Sequence, residues 1–191
     1  MLRTARMRIL CILKVGILVG LLLMGESYAQ TSKEKTPLPH RTTPVPKIDG
    51  YGPYKFGMSI GRAQEARPEA KRTEGNCGYN AIDAAYCLTE TTRLFGRDAK
   101  IEVLFRKNTK TLSNVIITFD RIKGKEKACG KALEAIATPL FQKWGTPTRE
   151  EGNGVQLFWE SVYGGTLMLF GTCFDDNHGF FVVSYEDTPG S

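Results

Sequence analysis

The stretch that most constrains the fold is residues 126–146, where Cys129, Ala132, Leu133, Ile136, Ala137, Leu140, Phe141 and Trp144 recur at the i, i+3, i+4, i+7 spacing of one helix face. Lys127, Lys131, Glu134 and Gln142 fall on the other face. Gly145 suits a left-handed C-cap, and Pro147 blocks continuation. So wide a stripe needs a sheet or another helix to cover it. Pro139 is the flaw, because an interior proline loses one backbone bond and clashes with the preceding turn at a cost of ~3 kcal/mol. A break is therefore expected there, with Thr138 as N-cap and Pro139 opening a second short helix.

Alternating segments lie on both sides of this helix. Before it come residues 85–95, then 100–107 with Ile101, Val103 and Phe105 against Lys100, Glu102 and Arg106, then 112–120 with Val115, Ile117 and Phe119 on one face. After it come 155–160, 166–174 and 180–187, separated by turns rich in Gly and Asx residues. A short helix capped by Ser59 places Ile60, Ala63 and Ala66 on one face and ends before Arg67-Pro68. Residues 71–79, with Gly75, Asn76 and Gly78, read as a loop. Val103-Leu104-Phe105 matches Met168-Leu169-Phe170, and residues 115–120 match 181–186. The expected fold is α+β: two tandem units, about 51–122 and 123–188, each a helix followed by a three-stranded antiparallel meander, with the helices on one sheet face.

The N-terminus reads as a secretory signal over residues 1–29. Arg3, Arg6 and Arg8 precede an apolar run from Val15 to Gly25, and Ser27-Tyr28-Ala29 gives a small-x-small cleavage site. The alternative is a retained anchor, for which the run after Lys14 is short against the ~20 residues a spanning helix needs. Residues 30–50, with Pro37, Pro39, Pro44 and Pro46, read as a disordered proline-rich spacer that also holds His40. The formal net charge is +6, of which the leader and the spacer carry nearly all, so the folded part is close to neutral and offers no nucleic-acid surface. Four of the five cysteines follow the leader: Cys77, Cys87, Cys129 and Cys173. In an exported chain they imply two disulfides. Three connectivities exist; Cys77–Cys87 with Cys129–Cys173 keeps each bond within one half of the chain.

Phe56-Gly57-Met58-Ser59 before a short helix, and Trp144-Gly145-Thr146-Pro147 closing a helix before a meander, resemble two groups of small exported bacterial domains. These are the β-lactamase-inhibitor-protein-like domains and the small outer-membrane lipoprotein domains (SmpA/OmlA, BamE). The resemblance covers Tyr51 to about Asp187. It implies a domain that acts by binding other proteins, as an inhibitor or as part of envelope assembly. The chain departs from the lipoprotein members in having no lipid-acceptor Cys after its apolar run, since Cys11 lies before it.

Asp175, Asp176, Asn177 and His178 form the one cluster with ligand chemistry, but its spacing is not that of an EF-hand and is also that of a hairpin turn. Motifs for hydrolytic nucleophiles, zinc or phosphate are missing from the sequence. A Cys–His pair needs a free thiol, and Glu160 after Trp159 reads as a solvent-facing strand residue. Trp144 and Trp159 are assigned to the core. Tyr51, Tyr54, Phe158, Tyr163 and Phe180 fall at strand edges, in turns or opposite the core, and are the expected binding surface. The sequence-level reading is a periplasmic or secreted, non-enzymatic protein-binding module without cofactor or metal, whose partner is another envelope protein. Membrane contact follows only if the signal is retained. The alternatives are capture of a small molecule or lipid between the two units, and hydrolysis by Asp175, Asp176 and His178.

Overall fold

A computed structural model describes residues 43–75, 77, 84–123, 128–151, 155–175 and 178–190. All belong to the second of two compact units, residues 38–191. The signal, His40, Asp176 and Asn177 lie outside the described residues.

The chain enters through β1 (Gly50–Tyr51) and β2 (Tyr54–Lys55), a small antiparallel hairpin. Helix α1 (Ile60–Ala66) follows, with the Ser59 side chain accepting from the Arg62 amide as its N-cap. Then come β3 (Lys71–Glu74), β4 (Ala84–Leu94), β5 (Arg97–Arg106), β6 (Leu112–Phe119) and the short β7 (Ile122–Lys123). After α2 (Ala128–Trp144) the chain forms β8 (Arg149–Glu150), β9 (Val155–Glu160), β10 (Thr166–Asp175) and β11 (His178–Glu186).

The expected pair of helix-plus-three-strand units does not form. The strands make one nine-stranded antiparallel sheet in the order β3-β4-β5-β6-β11-β10-β9-β8, with β7 also beside β11, so the protein is mainly β. Each half supplies a four-stranded run, and the two are joined by direct pairing of β6 with β11. Both of these strands carry a buried apolar row and an otherwise open edge, and pairing them satisfies both. The helices are unequal, seven residues against seventeen. Of the strands missed in the sequence, which include the two-residue β1, β2 and β7, both β3 and β8 are made of exposed residues with no apolar alternation.

A smaller buried cluster of Cys77, Cys87 and Leu104, with Ile116 against it, lies on one face of the sheet; the other face carries the main core. Ile101, Val103 and Phe105 of β5, Ile117 of β6, Val183 of β11 and Leu169 of β10 are all buried there. The stripe of α2 covers them through Cys129, Ala132, Ile136, Ala137, Leu140 and Trp144. Contrary to expectation, α2 is continuous, with Pro139 inside it. Proline removes the amide partner of the Ala135 carbonyl, on the exposed side of the helix, and the buried residues on either side seat both segments on the same sheet. Gly145, at φ +73°, ends α2 with its amide donating to the Phe141 carbonyl at 2.8 Å.

Two disulfides form, Cys77–Cys87 and Cys129–Cys173. The second ties the start of α2 to β10, and Gly179 on β11 leaves the space that the Cys129 sulfur occupies. Both bonds fit a chain that folds in an oxidising compartment, and no helix among the described residues is long and apolar enough to cross a membrane. The last part of the proline-rich stretch is packed: Val45 is 2% exposed and Ile48 1%. Ser161 Oγ donates to the Val45 carbonyl at 3.2 Å, and the Ile48 amide donates to the Gly164 carbonyl at 3.2 Å. The C-terminal tail reaches the same turn, where the Gly165 amide donates to the Thr188 carbonyl at 2.9 Å.

Candidate functional site

Side chains alternate across a strand, so residues between the core positions point to the face opposite the helices. Cross-strand register aligns them in rows. One row runs Glu102, Ile116, Ser184, Met168, Phe158 from β5 to β9; the next runs Lys100, Thr118, Val182, Phe170, Gln156. The charged members are paired: Lys100 Nζ lies 2.8 Å from the Glu102 carboxylate. At the β8 edge the Arg149 guanidinium sits 3.9 Å from the centre of the Phe158 ring and bridges Glu160 at 3.0 Å, with Glu151 as a further partner.

Between these ion pairs lies an apolar centre on β11 and β10. Phe170 is 37% exposed, and its ring meets Phe180 edge-on with centroids 6.5 Å apart. Val182, Met168 and Ile116 are half-buried beside them. Phe174, at the bulge that ends β10, is 73% exposed. Among the described residues, no helix or strand covers this centre.

Of the five surface residues expected from sequence, Phe158 and Phe180 lie on this face, but Phe158 is buried at 9% beneath Arg149 and Phe180 is half-buried. Tyr163 is exposed but sits in the β9–β10 turn at the end of the sheet. Tyr54 is fully buried and is no surface residue. Burial, and then the Glu90 carboxylate beside it, push its phenol up to about 12. Tyr51 is half-buried with its ring 5.3 Å from that of Tyr185, and burial raises its phenol too. The β1–β2 hairpin that carries both tyrosines packs against β6 and β11, and this long-range contact turns them into the core. Phe170, Met168 and Val182 were missed. Each shares a face with Phe158 only through the cross-strand register, which local spacing does not show.

Asp175 and His178 pair at the end of the β10–β11 ladder. The Asp175 carboxylate accepts from the His178 amide at 2.8 Å and lies within 2.8–2.9 Å of Nδ1, with both side chains more than half exposed. Among the described residues no group of three or more His, Cys, Asp or Glu side chains is placed to hold a metal. Glu90 is the one strongly buried carboxylate of the α1 region, its side chain 8% exposed. Burial pushes it above the usual carboxylate range, while Arg67, with Nε 3.6 Å away, opposes that rise. Arg67 and Glu90 thus pin the end of α1 to β4, with Tyr54 and Glu90 buried and the Arg67 side chain 44% exposed. The clefts are shallow: about 470 Å³ beside Ile60 and Gln64, and about 430 Å³ beside Arg97 and Arg121. Neither contains Glu90. No protein-family model, characterised protein or solved structure matches the chain.

Proposed function

We propose that this is an exported, non-enzymatic module that binds another envelope protein through the sheet face centred on Phe170 and Phe180. The observation that carries the reading is that half-exposed aromatic and aliphatic centre, bounded by internally paired ions. Interfaces concentrate their binding energy in such clusters of aromatic anchors with a polar rim. The basic n-region, apolar run and Ala29 site support export to a periplasmic or secreted location, as do the two disulfides. The likeness of the Phe56–Ser59 and Trp144–Pro147 motifs to inhibitor-like and envelope-assembly domains points to the same class of activity. A ligand cleft between the halves finds no support at their junction, where β6 and β11 are hydrogen-bonded neighbours.

The test is affinity capture of the tagged full chain from the native host envelope, with and without cross-linking, set beside Phe170→Asp. A stoichiometric partner retained by wild type and lost by the variant supports the reading. A partner retained equally by both moves the interface off this face.

A further inference from the structure

We propose that the free half of β4, Glu90–Leu94, is a self-association edge that pairs antiparallel with the same segment of a second copy about a two-fold axis at Thr92. β3 covers β4 only from Tyr86 to Thr89. Beyond that point β4 runs on to Leu94, paired on its inner side with β5 and with no strand on its outer side among the described residues. The chain before β3 does not extend into this notch. Gln64 Nε2 donates to the carbonyls of Arg67, Pro68 and Ala70, and the Ala70 amide donates to Arg67, so the segment is locked as a turn. Contact of Arg67 with Glu90 closes one end of the notch. The hairpin at Phe95-Gly96 closes the other.

The other edges are blunted. β3 is four exposed residues that include Lys71, Arg72 and Glu74, and β8 is two residues, Arg149 and Glu150. Short, charged edges discourage pairing with another chain. The β4 segment is less blunted, with Arg93 as its one exposed charge. It holds no proline, its bulge lies at the far end between Ala84 and Tyr86, and its acid turns inward onto Arg67. Thr91 and Thr92 favour extended structure.

A second copy fits because the notch and its filler are the same object. What must fill it is an extended edge of about 17 Å, stopped at one end by a hairpin and at the other by a strand start. The identical segment, rotated by half a turn, has that shape, and an isologous pairing closes on itself. With Thr92 opposite Thr92 of the second copy, Thr91 faces Arg93 and Glu90 faces Leu94, each twice. No like charges are opposed. Phe95 comes alongside the start of the second copy's β3. Its ring is 38% exposed despite its contact with Phe119, and its backbone holds φ +51°, unfavourable for a ringed residue. This edge is separate from the aromatic face, so failure of either reading leaves the other standing.

The test is sedimentation velocity on the full chain over a concentration series, for wild type, Thr91→Lys, Thr91→Glu and Thr118→Lys. Wild type should form a dimer. Thr91→Lys, opposing Arg93 twice, should weaken it about tenfold, and Thr91→Glu should tighten it. Thr118→Lys also sets a lysine beside Lys100, but away from the edge, and should leave the dimer unchanged. A wild type that stays monomeric throughout overturns the proposal. So does a dimer that responds alike to both charges at position 91, since its interface then lies elsewhere.

Discussion

Ile117 stands directly opposite Val183 across the β6–β11 pair, and the two are 2% and 1% exposed. This ladder is where the first four-stranded run meets the second. Truncation there should therefore weaken the whole sheet. Ile117→Ala should cost about 2–5 kcal/mol and keep a single unfolding transition, whereas Thr118→Ala on the opposite face should stay within about 0.5 kcal/mol. Denaturant melts read by fluorescence and by circular dichroism check both, and two separate transitions in Ile117→Ala would show that the halves fold independently.

The Cys129–Cys173 bond closes a 44-residue loop and joins helix to sheet. On the chain-entropy model its removal should cost about 4 kcal/mol, against about 3 kcal/mol for Cys77–Cys87 with its 10-residue loop. Paired Cys→Ala variants, compared by thermal melts, measure the two losses. Peptide mapping without reduction checks the pairing itself.

Glu90 gives a pH dependence of definite sign. Burial raises its carboxyl above the ordinary 4.5, so the native state holds the proton more tightly than the unfolded chain does. Stability contributed at Glu90 is therefore greatest below that value and falls as pH rises through the raised one. Glu90→Gln should melt higher than wild type near neutral pH and converge with it below pH 4.5. Melting both proteins across that range decides it; a gap that widens toward acid would reverse the assignment.

Pro139 lacks the amide that would bond to Ala135 within a continuous helix. Pro139→Ala should raise stability, by at most about 3 kcal/mol, with the sheet unchanged. Chemical denaturation gives the number. A loss of stability would mean that the proline ring contributes more by packing than the missing bond costs.

Much of this architecture was legible wherever a residue's neighbours in sequence are also its neighbours in space. The stripe of α2, the Ser59 cap, the six long strands and the favoured disulfide pairing all follow from local spacing. The sheet's continuity did not, because pairing of Ile117 with Val183 is a long-range choice between two edges that look alike in sequence. Lys71–Glu74 carries no apolar alternation, so an edge strand read as a loop. Pro139 obeyed packing over local propensity. At the candidate site, Phe158 and Phe180 were found from their alternation with core residues. Phe170 needed the register that sets it against Gln156 and Val182. Tyr54 was misplaced because the packing of its hairpin against β6 is a long-range contact that leaves no trace in its own neighbourhood.

The most direct test of the central claim is partner capture by the full chain with Phe170→Asp, whose ring is 37% exposed at the middle of the face opposite the helices. The account predicts a variant that melts within about 1 kcal/mol of wild type, as expected of a surface substitution, and captures no partner. A folded variant that captures the same protein at the same yield would contradict it.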